Sequence, residues 1–309
     1  MKASNTRKHI KIYAFAAAVI LLAATAAVIF AEKFHPEVFF YVQEWWYDMT
    51  TSVKLTQTPA DECGGRTYAS VDEILADTYL TGKVTVNESL ILVNAEYVLP
   101  ENFAPEIGEY KSSGVTMNTC IIESYGELTA AVTEAVRDKM YISSSYRTAE
   151  KQAEVYDEDP SVAAHPGESE HQTGLALDVY VQNHGGYAFI KSAAGQFVAR
   201  HAWEYGFIVR YPMGKTDITG ITYEPWHIRY VGAPHAEIIR KNSLTLEEYI
   251  AGLKVGTVYG LGEYTIIRCE ADALLVPDDA ESIVISADNT GKYIITVRKG
   301  GGDNGTAQQ

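Results

Sequence analysis

Positive charge is in short supply. The 309-residue chain carries 25 Lys and Arg against 40 Asp and Glu, a formal net charge of −15. Residues 1–33 hold five of the basic residues and one of the acidic ones, so the remainder stands at 20 minus 39, or −19. Polyanions are repelled by such a surface, which excludes an electrostatic grip on nucleic acid or on anionic lipid. Any polymer the protein meets has to be held by a specific pocket. Cysteine is also scarce. Cys63, Cys120 and Cys269 are the whole set; one disulfide plus a free thiol is possible, the pairing is not legible, and the spacing matches no zinc motif. No internal repeat or low-complexity tract is present. A regular strand–helix rhythm is missing too, which argues for α+β over a doubly wound sheet. Apolar residues are what the chain has in ordinary supply, at 47%, ample for a core.

One apolar run stands out. Lys2, Arg7, Lys8 and Lys11 precede IYAFAAAVILLAATAAVIFA, residues 12–31. As a helix, twenty residues at about 1.5 Å each match a bilayer core of about 30 Å. The basic flank predicts residues 1–11 in the cytoplasm, a single-pass anchor over 12–31 and the rest of the chain outside the cell membrane. A cleaved signal peptide, with Ala24-Thr25-Ala26 as its small-x-small site, is the rival reading. The run is long for such a peptide, and FFYVQEWWY (39–47) offers aromatic residues suited to a membrane interface. A retained anchor is therefore expected, followed by a stalk over 32–65.

Beyond it, ESLILVNAEYVLP reads as a strand ended by Pro100. SYGELTAAVTEAVRDKM reads as a helix opened by a Ser124–Glu127 capping box. YRTAEKQAEVY and AFIKSAAGQFVARHAWEYG read as helices, the latter stopped by Gly206. MYISSS, LALDVYV, FIVRYP and TYEPWHIRYV read as strands, and TLEEYIAGL as a last helix with a Thr245–Glu248 box. A main domain over 66–250 is expected to be a small, mostly antiparallel sheet flanked by helices. Residues 251–300 alternate like a small β module, packed on the main domain or standing apart, with ADNTGK as a hairpin turn, and 301–309 read as a polar, disordered tail.

The chemistry concentrates in two stretches. In SEHQTGLALDV (169–179) a carboxylate, Asp178, sits in an otherwise apolar strand; a buried unpaired charge is costly and needs a partner, a metal ion being one candidate. In EPWH, Glu224 lies three residues before His227. His171, Asp178 and His227 supply the three ligands a catalytic zinc site needs, and Glu224 could act as base on a metal-bound water without being a ligand. Residues three apart on a straight strand point to opposite faces, so Pro225 has to bend the chain if Glu224 and His227 are to converge.

SSSYRTAEKQ (143–152), PGESEHQTGLALDV (166–179) and YEPWHIRYVG (223–232) resemble the three signature blocks of the VanY-type D-alanyl-D-alanine carboxypeptidases, a branch of the LAS zinc peptidases. LVNAEYVLPENFAP (92–105) resembles the lead-in to that domain. The resemblance covers roughly residues 85–245, leaving out the stalk and the C-terminal segment. It implies one Zn2+ per chain on His171, Asp178 and His227, with Glu224 as catalytic base and Arg147 stabilising the oxyanion. Gln152 and Ser169 would receive the substrate's terminal carboxylate, and Tyr211 would stand near the leaving group. The implied reaction removes the C-terminal D-Ala from peptidoglycan stem peptides ending in D-Ala-D-Ala. An L,D-carboxypeptidase acting on tetrapeptides and a non-catalytic zinc-containing wall-binding protein are the alternatives. A part in glycopeptide antibiotic resistance and ordinary wall maturation are equally compatible with the resemblance.

Overall fold

ALDVY forms the second strand of a four-stranded antiparallel sheet. The order is Tyr141–Ser144, Ala176–Tyr180, His227–Tyr230, Phe207–Val209. Leu177 and Val179 point into a core shared with Leu175, Phe207 and Ile228, and helix Ile122–Val136 covers it with Tyr125, Leu128 and Val132. Asp178 alternates to the other face. The structure is a computed structural model and describes residues 21, 22, 24–29, 36–160 and 163–300.

A second, six-stranded sheet runs Thr56–Pro59, Thr257–Leu261, Tyr264–Glu270, Lys292–Lys299, Ala280–Ala287, Val84–Asn87, with only the last pair parallel. Its central strands carry the paired apolar residues Ile266-Ile267 and Ile294-Ile295. Neighbours on a strand face opposite sides, so such pairs require both faces to be covered. Ile266 and Ile294 pack with Ile238, Ile239, Leu246 and Ile250 of helices His235–Lys241 and Leu246–Gly252. Ile267 and Ile295 pack with Ile74, Leu274 and Val276 on the far side. The first of these cores also contains Ile208 and Val231 from the four-stranded sheet's region, so the C-terminal strands brace that sheet through two helices.

This organisation differs from expectation at several points. Residues 32–65 hold a helix, Pro36–Thr50, and the edge strand Thr56–Pro59. The chain divides into compact units at 1–51 and 52–309, so the 251–300 strands belong to the second unit and draw on residues far upstream for two of their neighbours. Residues 88–100 form no strand; the strand is Val84–Asn87, just before them. Leu90, Ile91, Leu92 and Val93 are all buried between cores, and their backbone is satisfied by other partners: Leu90 N–H donates to Ser286 Oγ, and Ile91 O accepts from Arg229. Helix Ile122–Val136 begins before the expected capping box, after a 3-10 turn whose Asn118 side chain accepts from Cys120 N–H. The Thr245–Glu248 box forms as expected, and Gly206 ends its helix in the left-handed region. The three cysteines are free. Most of the expected anchor over 12–31 and the tail over 301–309 lie outside the described residues. Among the described residues, no helix is long and apolar enough to cross a membrane.

His235 ties the brace together. Its ring is buried, with Nδ1 2.6 Å from Tyr249 Oη and Nε2 2.8 Å from Thr296 Oγ1. Burial pushes its pKa down to about 3, from 6.5 in an unfolded chain. Above pH 6.5 both states are neutral there. Below it the unfolded chain takes up a proton that the folded one refuses until about pH 3, so stability falls with acidification across that window. The contribution reaches about 1.4 kcal/mol per pH unit. Denaturant titrations from pH 7 to 4 are expected to show a shallower loss for His235→Asn than for the parent protein, and equal slopes would refute the assignment.

Candidate metal centre and active site

Three local devices bring the ligand candidates together. Asp178 and His227 are direct cross-strand partners, which places them side by side on one face. His171 sits in a 3-10 turn, Glu170–Thr173, that Gly174 redirects into the strand at φ +69°. A Cβ at Gly174 would lie 2.7 Å from the Asn118 nitrogen, so both the dihedral and the close approach demand glycine. Glu224 and His227 converge because residues 224–227 form a turn, closed by His227 N–H to Glu224 O at 3.2 Å, with Pro225 in its second position. The strand starts only at His227. The bend that the spacing required is there.

One nitrogen from each ring and a carboxylate oxygen of Asp178 all lie within 4.8 Å of one another. His171 Nδ1 is 2.9 Å from Ser145 O, to which a protonated Nδ1 donates; this leaves Nε2 facing Asp178 Oδ2 at 3.3 Å. His227 presents Nδ1 to Asp178 Oδ1 at 3.0 Å. Burial disfavours the Asp178 charge, but the two imidazoles outweigh it and hold the carboxyl far below the usual range. For His227, burial is outweighed by Asp178 and Glu170, which push it up to about 9. Burial lowers His171. Two imidazole nitrogens and one carboxylate, converging from a rigid sheet and a tight turn, fit the donor set of a catalytic zinc centre with three protein ligands.

Glu224 Oε2 stands 3.9 Å from His227 Nδ1, and burial, then Asp178, raises its pKa, as suits a proton acceptor working near neutral pH. Arg147 follows the first strand; its backbone N–H donates to His171 O, and its Nε is buried without a hydrogen-bond partner. Tyr211 packs its ring 4.9 Å from that of His227, and its carbonyl accepts from Glu224 N–H. Ser169 is buried two residues before His171. Gln152, buried on helix Ala149–Glu158, donates to Ala164 O while its Oε1 has no partner. Trp226 packs edge-to-face on Tyr187 beside the turn.

Residues 114–233 match the family model described as VanY: D-alanyl-D-alanine carboxypeptidase, a span that contains all eight of these site residues. Over 222 residues the chain is 34% identical to a D-alanyl-D-alanine carboxypeptidase of Enterococcus faecalis, covering 64% of this chain and 80% of that protein. The chain belongs to the VanY family. It is also 33% identical over 178 residues to the bifunctional D-Ala-D-Ala dipeptidase and D-Ala-D-Ala carboxypeptidase VanXYC of Enterococcus gallinarum, covering 52% of this chain and 93% of that one. The crystal structure of the vancomycin resistance D,D-dipeptidase VanXYg, in complex with a D-Ala-D-Ala phosphinate analogue, superposes with a TM-score of 0.60 at 25% identity, over 80% of this chain and 99% of its own. The shared fold therefore extends beyond residues 114–233. Membership in the VanY family makes this protein a hydrolytic peptidase.

Four charged residues beneath the site escaped the sequence reading. Glu170, Arg210 and Arg229 are fully buried, and Glu247 is partly exposed. Glu170 Oε1 accepts from Arg210 Nε at 2.7 Å and from Arg229 Nη1 at 2.6 Å, and Arg210 makes a two-pronged pair with Glu247 at 2.9 and 2.6 Å. The available signal was adjacency: Glu170 precedes His171, Arg210 precedes Tyr211 and Arg229 follows His227 by two.

Proposed function

We propose that this VanY-family protein is a zinc-dependent D-alanyl-D-alanine carboxypeptidase that trims the terminal D-Ala from peptidoglycan stem peptides on the outer side of the cell membrane. The observation that carries the reading is the convergence of His171, Asp178 and His227 to within 4.8 Å, with Glu224 beside them. Bound at that centre, Zn2+ would lower the pKa of a water and polarise the scissile carbonyl. Glu224, raised by burial, takes the proton of the attacking water and returns it to the departing amine of D-Ala. Arg147 turns its buried, unpartnered Nε–H and its fixed charge to the oxyanion that develops on the carbonyl. Gln152 and Ser169 receive the terminal carboxylate, and Tyr211 flanks the leaving group. Anchoring rests on the run over 12–31 and its basic flank; protease digestion of intact cells is expected to remove the domain beyond residue 51 and leave a short membrane-bound stub.

The direct test uses the full chain with synthetic stem pentapeptide and tetrapeptide. Free D-Ala from the pentapeptide, abolished by a chelator and restored by Zn2+, is expected; release only from the tetrapeptide would instead favour the L,D-specific reading. No acyl-enzyme serine takes part, so incubation with penicillin should leave the intact mass unchanged. Chelator-resistant turnover by a metal-free protein would sink the proposal.

A further inference from the structure

Glu170 has an oxygen to spare. Its carboxylate is fully buried, yet both arginines that neutralise it engage Oε1: Arg210 Nε at 2.7 Å and Arg229 Nη1 at 2.6 Å. Oε2 has no hydrogen-bond partner and faces His227 Nε2 at 3.5 Å; that nitrogen is likewise buried without a partner. Two unsatisfied polar atoms opposed at this distance are a costly arrangement unless they serve one another.

The chemistry of imidazole supplies the link. A neutral ring has one proton and one lone pair, on different nitrogens. His227 shows Nδ1 to Asp178 and Glu224. To bind a metal through Nδ1 the ring must give up the Nδ1 proton that it otherwise shares with Asp178, and the one proton that remains then sits on Nε2, directed at Glu170 Oε2. The ring nitrogen opposite a ligating one is normally tied to a carboxylate or carbonyl, which sets tautomer and ring plane. His171 already has such a tie, through Nδ1 and Ser145 O. Without Glu170, His227 would have none in the structure.

We infer that Glu170 is a positioning residue for His227: it accepts the Nε2 proton and thereby holds Nδ1 toward the metal centre. The arginines hold Glu170 in turn. Arg229 Nη2 is anchored on the carbonyls of Ser89 and Ile91, and Arg210 on Glu247 of helix Leu246–Gly252, which packs against the six-stranded sheet. The C-terminal brace thus reaches the ligand set through Glu247, Arg210 and Glu170. Two carboxylates and two guanidiniums make this chain of contacts neutral, so Oε2 is not needed to balance either arginine.

This inference rests on the proposed metal function, and the test separates the two. In the full chain labelled with 15N-histidine and loaded with 113Cd, the metal–nitrogen coupling of His227 should appear on Nδ1, and Nε2 should carry a slowly exchanging proton. In the zinc form, competition with a chromophoric chelator should show Glu170→Gln binding Zn2+ about 10- to 100-fold more weakly than the parent, with Glu170→Asp falling between them. Coupling on Nε2, a rapidly exchanging Nε2 proton, or a Glu170→Gln affinity within twofold of the parent would each overturn the positioning role. If Glu170→Gln does not fold, the spectrum of the parent protein decides alone. Failure of the parent chain to bind any metal would remove the functional reading itself.

Discussion

Glu224→Gln is expected to lower kcat by about 10²- to 10⁴-fold, the usual worth of a positioned general acid–base, while bound zinc stays at one per chain. Glutamine keeps the volume and the backbone of the 224–227 turn, whose bonds to Tyr211 O and from His227 N involve only main chain. It cannot accept the water proton or later release it. Although its Oε2 is 3.9 Å from His227 Nδ1, Glu224 is not one of the three residues whose ligand atoms gather within 4.8 Å of one another, so its loss should leave the ligands intact. A variant that kept full turnover with its metal would show the base to be elsewhere. A variant that lost the metal as well would make Glu224 a ligand.

Asp178→Asn is expected to weaken zinc binding by more than about 100-fold, beyond the range that outer-shell changes produce, and to abolish D-Ala release at ordinary zinc concentrations. The carboxylate is the single anionic member of the set, and it also spans the two rings, meeting His171 Nε2 at 3.3 Å and His227 Nδ1 at 3.0 Å. Asparagine retains the shape but neither the charge nor a second acceptor oxygen. Equilibrium dialysis with metal analysis, alongside turnover at rising zinc, checks this. Asparagine at 178 with undiminished zinc affinity would place the ion on other groups.

How much was legible beforehand varies with the interaction. Asp178 could be singled out because a charge between Leu177 and Val179 contradicts the burial that its own neighbours imply. The Thr245–Glu248 cap and the Gly206 stop were readable because capping is settled within four residues. The Ser124–Glu127 pair has the same spacing and forms no cap. There the 3-10 turn capped by Asn118 starts the helix earlier, and Ile121 and Tyr125 are drawn into the core. Residues 88–100 have strand composition but spend their backbone bonds on Ser286, Asp288 and Arg229, partners about 140 to 200 positions away.

By itself the sequence determined which groups could do chemistry: two histidines, a misplaced aspartate, a glutamate before a proline, and an arginine in a block resembling a known family. Residue type and short-range order suffice for that, since ligand chemistry and local turns depend on a few adjacent atoms. Only the tertiary structure decided that the strands between Thr257 and Lys299 brace the site in partnership with residues 56–59 and 84–87, and that Glu170 faces the hidden side of His227. Long-range pairing is chosen by which apolar faces find cover, and a buried charge network by which guanidiniums that burial brings within 3 Å of a carboxylate; neither leaves a periodic mark along the chain.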